Sequence, residues 1–175
     1  MSACIRRFGH SQFSHVDILL PDHHEFAGGL LGASDMGAES PFIRGEPRGV
    51  AIRPANYQRF GIRRDLILET DKADDVIAAV MSQLGKPFDS SGLWEFIGDK
   101  PPDERDWRNM AHWWCSELAA WGKEEGKFFR RPLIAAKNRI SPPDLMLLLD
   151  QDDRWINRDV FWHPIPGLAL DPGEK

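Results

Sequence analysis

The sequence predicts an α+β domain, and three observations predict it. Apolar residues alternate early, over Phe13 to Leu20, whereas helical spacing governs two later stretches, Val76 to Leu84 and Cys115 to Trp121. A further helix start is written at Ser141-Pro142-Pro143-Asp144, with a hydroxyl cap, a proline at the first position and a carboxylate at the third. Strands grouped early, with helices inserted and following, describe a sheet layer packed on helices. At 175 residues, 42% hydrophobic and 28% charged, the chain is expected to form a single domain over 1–175 with a sizeable core.

The elements follow in order. In the strand Phe13 to Leu20, Val16, Ile18 and Leu20 face one way, and Phe13, His15, Asp17 and Leu19 face the other. Pro21 to Glu25 is a polar turn, and a second strand is expected from Gly28 to Ser34. Asp35 to Arg48, holding Gly37, Pro41, Gly45 and Pro47, reads as a long loop that would flank a site. Gly49 to Pro54 and Ile62 to Glu69 read as two more strands. Asp71 is placed to cap a helix whose inner face is Val76, Ile77, Val80, Met81 and Leu84, ended by Gly85 and Pro87. Asp99 to Arg108 is expected to be an exposed loop. The helix opening at Cys115 should end near Gly126. The helix after Ser141 would bury Leu145, Leu148 and Leu149, with a last strand at Val160 to Ile165 and a frayed tail at Asp171 to Lys175.

Composition removes several function classes. A net charge of −5 with no basic stripe gives no reason to expect nucleic acid. No run of apolar residues reaches the length of a membrane span, and Met1 to Gly9 lacks the apolar core of a secretory signal. Two cysteines, Cys4 and Cys115, make no disulfide framework, so a reducing cytoplasmic setting is expected. His23 and His24, with Asp22 or Glu25, lack the spacing of a metal site. Gly28-Gly29 lacks the strand–turn–helix context of a phosphate loop. Neither a metal nor a cofactor is expected.

The chemistry centres on Trp113-Trp114-Cys115-Ser116-Glu117-Leu118. Cys115 stands where an aromatic approach turns into an amphipathic helix. Helix N-termini favour an anion, and the thiolate is the nucleophilic form of cysteine. The competing reading is a small buried thiol with no chemistry. His15, with an ordinary pKa of roughly 6.5, is the candidate base. On composition alone, such a residue is more often a structural or surface histidine.

Cys115-Ser116-Glu117-Leu118 after an aromatic run resembles the nucleophile motif of the NlpC-type papain-like cysteine hydrolases. Ser14-His15-Val16-Asp17-Ile18, Gly85-Lys86-Pro87-Phe88-Asp89 and Ile140 to Leu145 stand in the order of its circularly permuted, YiiX/YebB-like branch, which is related to lecithin retinol acyltransferase. The resemblance implies an antiparallel sheet packed against helices, with the nucleophile at a helix N-terminus. It implies a Cys115–His15 dyad working through an acyl-enzyme on a small peptide, amide or acyl substrate, including peptidoglycan-type peptides in a bacterial or phage setting. The Cys115 backbone N–H would be one oxyanion donor.

Family members usually carry a polar third residue on the strand after the histidine, where this chain has Gly32; Ser34, Asp35, a backbone carbonyl or a water would have to serve instead. Asp17 shares the face of His15, but the corresponding position varies in the family, so the resemblance gives it no role. Phe88 stands where relatives often carry a tyrosine. Trp94, Trp107, Trp113, Trp114 and Trp121 are expected to be mostly core, with one or two near the site. An acyltransferase or thioesterase on lipid-like esters, and a non-catalytic binding module that keeps the fold, remain the alternatives. The oligomeric state is not legible in the sequence.

Overall fold

The central layer is a four-stranded antiparallel sheet. Its strands are β1 (Ile18–Leu19), β2 (Leu30–Ala33), β3 (Arg44–Gly45) and β4 (Val50–Arg53), ordered β1-β2-β4-β3. A separate two-stranded sheet pairs β5 (Ile67–Leu68) with β6 (Trp155–Asn157). The helices are α1 (Ala73–Met81), α2 (Cys115–Glu125) and α3 (Pro142–Asp150). The computed structural model describes residues 13–36, 41–57, 65, 67–68, 70–91, 111–130, 140–150 and 155–157.

Every residue of β2 and β4 is buried, which explains why both read as short runs of small and apolar side chains rather than half-polar alternations. Leu31, Ala33, Val50 and Ile52 pack with Ile77 and Val80 of α1 and with Trp113 and Leu118 at the start of α2. On its other side α2 presents Ala119 and Ala120 to Phe128, Ile140, Leu145 and Leu149. The cysteine helix is thus wedged between sheet, α1 and α3, and its first turn has a fixed address.

Two features sharpen that address. The segment Gly85 to Asp89 bridges the sheet and the approach to α2. Val50 N–H donates to Lys86 O (2.8 Å), Trp113 N–H to Pro87 O (3.1 Å) and Asp89 N–H to Trp113 O (3.0 Å). In addition, α1 crosses α2 at its glycines. A Cβ on Gly126 would lie 2.6 Å from the Val76 nitrogen and 2.7 Å from its Cα, and one on Gly122 would lie 2.2 Å from a Val80 methyl. Backbone cannot swing aside as a side chain can. Gly126→Ala is therefore expected to cost about 1–3 kcal/mol, read as a melting temperature lower by roughly 2–12 °C. An unchanged melting curve would contradict this close crossing.

Several sequence expectations are corrected. The first strand is shorter than expected, covering Ile18–Leu19, although His15 and Asp17 do share a face. The long loop 35–48 contains an edge strand, β3, held by pairing of Arg44 and Gly45 with Ile52 and Ala51. Helix α1 is capped from Lys72 and not Asp71; Thr70 Oγ1 accepts the Lys72 N–H (3.1 Å), while the Asp71 carboxylate pairs with the Lys72 ammonium (3.0 Å). Leu145 and Leu149 of α3 are buried as expected, but Leu148 is 42% exposed because it falls on the solvent side of the turn. A strand lies at Trp155–Asn157; the expected one at 160–165, the loop 99–108 and the tail 171–175 fall outside the described residues. The cap written at Ser141 is present in full. Asp144 N–H donates to Ser141 Oγ (3.3 Å), and Asp144 Oδ2 accepts from the Ser141 N–H (3.0 Å).

Candidate active site

Trp114 has extended backbone (φ −101°, ψ 168°), and its carbonyl accepts the first helical hydrogen bond, from Leu118 N–H at 3.1 Å. Cys115 is therefore the first residue of α2. Its N–H has no acceptor within its own helix, and it stands at the positive end of the helix dipole. The thiol is free and 7% exposed. Glu117, in the same first turn, completes the helix start by accepting the Trp114 N–H.

β1 and the extended residues before it bring His15 to this helix end, where the imidazole lies close enough to the Cys115 sulfur for the two to interact electrostatically. The far side of the ring is held by two groups. Tyr57 Oη lies 2.9 Å from His15 Nε2 and donates its proton to Asp17 Oδ2 at 2.6 Å. Asp17 Oδ1 lies 3.0 Å from the same Nε2 as an ion pair, but out of line for a good hydrogen bond. A tyrosine hydroxyl has one proton. Because that proton goes to Asp17, His15 Nε2–H must be the donor to Tyr57, which leaves Nδ1 for the sulfur.

The electrostatics of this cluster reinforce its geometry. Burial alone would lower the His15 pKa; the Asp17 carboxylate, then the Cys115 sulfur, more than reverse this and push it up to about 10. Burial would likewise raise Asp17, but the charge of His15, the Tyr57 hydroxyl and the Arg53 guanidinium hold it below its ordinary value. Arg53 is fully buried beneath the site. It donates to the carbonyls of Gly32 (3.1 Å), Pro47 (3.1 Å) and Gly49 (3.0 Å), and its guanidinium sits 5.4 Å from the centre of the Tyr57 ring.

The structure brings the two principal sequence candidates, Cys115 and His15, together. Ser34, the tentative third group of the sequence reading, is buried just past β2, with its backbone N–H donating to Gly49 O (3.0 Å). Among the described residues, the polar partners of the far side of His15 are Asp17 and Tyr57. Trp113 and Trp114 are core, while Trp94 and Trp107 lie outside the described residues. Tyr57 and Arg53 were missed. Their signals were present: Tyr57 is the chain's single tyrosine, and Arg53 is a cation closing an otherwise apolar strand.

Glu117 is a second titratable group of consequence. It is 6% exposed, and burial, with the Asp89 charge adding to it against the Trp114 N–H, pushes its carboxyl up to about 8. A carboxyl raised on folding binds its proton more tightly in the folded state, so stability falls as pH rises from about 4.5 through about 8. Glu117→Gln, which keeps an acceptor for Trp114, is expected to flatten that part of the stability profile. Chemical denaturation at a series of pH values checks it; an unchanged slope would contradict the assignment.

His23 and Asp74 form an exposed pair (2.8 Å), and no group of three metal-ligating side chains occurs among the described residues. No described helix is long and apolar enough to cross a membrane. Comparison with family models, with curated proteins and with solved structures gave no match to this chain.

Proposed function

We propose that the protein is a cysteine hydrolase of the papain-like, permuted NlpC type, acting through Cys115 and His15. The observation that carries this reading is the interacting Cys115–His15 pair at the N-terminus of α2, backed by a buried carboxylate 3.0 Å from the imidazole. A nucleophile, a base in contact with it and an orienting group are the parts that covalent acyl transfer requires. The antiparallel sheet packed on the cysteine helix agrees with the layout this type of enzyme implies.

The Cys115 sulfur attacks a carbonyl carbon, and the oxygen takes up the negative charge near the Cys115 N–H. The His15 imidazolium then protonates the departing amine or alkoxide as its bond to carbon breaks. A thioester remains on Cys115. Neutral His15 next takes a proton from water as the water adds to that thioester. Collapse expels the sulfur, releases a carboxylic acid and restores the pair. An alcohol or amine taking the place of water would give the acyltransferase version.

The test is covalent trapping. Incubation with a panel of peptide p-nitroanilides and p-nitrophenyl acyl esters is expected to release p-nitrophenol or p-nitroaniline and to leave an acyl group on Cys115, seen by mass spectrometry after acid quench. Cys115→Ser should form no thioester. A panel-wide absence of both turnover and adduct, in folded protein whose Cys115 also alkylates as an ordinary thiol, would favour a binding module instead.

A further inference from the structure

Resting on the reading of Cys115 and His15 as nucleophile and base, we propose that Asp17 and Tyr57 are the positioning residues of this site, with Asp17 filling, from the residue just before β1, the place that a side chain at Gly32 of β2 would otherwise take.

The pairing register supplies the first argument. Ile18 opposes Leu31 and Leu19 opposes Leu30, so one step further along the same antiparallel ladder Asp17 faces Gly32. Residues directly opposed on neighbouring antiparallel strands project from the same face of the sheet, with Cβ atoms about 4.5–5.5 Å apart. A polar group can therefore reach one spot from either strand. Steric exclusion supplies the second argument. A Cβ built on Gly32 would lie 2.0 Å from Asp17 Oδ1 and 3.1 Å from its Cγ, so a side chain there and the observed carboxylate exclude one another. A glycine inside a buried strand, otherwise a weak choice, is accounted for by this close approach.

Hydrogen bonding gives the arrangement its purpose. Nε2–H of His15 donates to Tyr57, and Tyr57 donates to Asp17, so the imidazole is fixed with Nδ1 toward the sulfur. The direct ion pair at 3.0 Å favours the charged ring. Tyr57 is itself set by a turn in which its N–H donates to Pro54 O (2.9 Å), directly after the strand that carries Arg53. The missing polar residue on β2 is thus not a missing function, since the orienting carboxylate has a different address.

The test uses the full chain in a Cys4→Ser background and follows Cys115 alkylation by iodoacetamide against pH, with the ring nitrogen shifts of His15 as a second readout. Wild type is expected to show an acid limb of reactivity that depends on the imidazolium held beside the sulfur. Asp17→Ala should lose that acid limb, by about tenfold or more. Gly32→Ala should lose it too, although it removes no polar group, because its methyl displaces the carboxylate. Asp17→Ala/Gly32→Asp should regain it. Asp17→Asn, nearly isosteric, should lose the limb while keeping the melting temperature close to wild type, which separates positioning from packing. Unaltered alkylation in Asp17→Asn, or a double variant no better than Asp17→Ala although folded, would overturn the assignment of Asp17. If wild type itself follows an ordinary thiol titration, the dyad reading fails first and the proposal falls with it.

Discussion

Replacing His15 with alanine is expected to slow acylation of Cys115 by a p-nitrophenyl ester about 10²–10⁴-fold near neutral pH, the usual contribution of a positioned acid–base group. The effect should be large because one ring performs two tasks. It pairs with the sulfur through one nitrogen, and through the other it is tied to Asp17 and Tyr57. Without it the sulfur keeps the helix terminus as an electrostatic partner. Far-ultraviolet circular dichroism should remain that of the wild type, since His15 borders β1 without contributing to its ladder. A rate within threefold of wild type would mean that His15 is a structural neighbour of Cys115 and nothing more.

Arg53→Met should have the largest effect on stability, costing about 3–5 kcal/mol because three carbonyls in and around the core lose a charged donor, each loss worth about 1–3 kcal/mol. Three carbonyls, those of Gly32, Pro47 and Gly49, take hydrogen bonds from the guanidinium. The Asp17 carboxylate also loses a charge that favours its ionised form. For a chain of this size the melting temperature should drop by roughly 6–20 °C. Methionine fills comparable volume, so a cavity contributes little to the loss. A drop of less than about 2 °C would show that the carbonyls find other donors and that Arg53 is dispensable. Because Arg53 braces Tyr57 and Asp17 as well, the folded fraction should also alkylate less readily at acid pH.

Local order is what the sequence made legible. The cysteine at a helix start, the capping residues Ser141 and Asp144, and the shared face of His15 and Asp17 all follow from spacing within a few residues. Even the splinting role of Gly85 to Asp89 has a local cue in its glycine and proline, although α1 itself already ends at Met81 with Ser82 as its cap. Tyr57 could not be read this way, because its contacts to His15 and Asp17 span 42 and 40 residues and depend on where the turn after β4 falls. Asp17 was visible but idle until the β1–β2 register set it opposite Gly32. The informative signal was the glycine itself, in Leu30-Leu31-Gly32-Ala33: read as a missing polar group, it actually marks a close approach. Arg53 was hidden for the opposite reason, since a lone arginine at a strand end ordinarily reaches water.

The most direct measurement is the charge state of the His15 ring, followed by nitrogen chemical shifts across a pH titration. With Asp17 and the Cys115 sulfur beside it, the ring should remain an imidazolium through neutral pH and titrate near about 10. The stability this raised value contributes should be fully present below about 6.5 and lost as pH climbs through about 10. Cys115→Ser should move the midpoint down by removing the sulfur's share. A neutral ring at about pH 8, with a midpoint near the ordinary value of about 6.5 in both proteins, would contradict the ion pair on which the proposed chemistry depends.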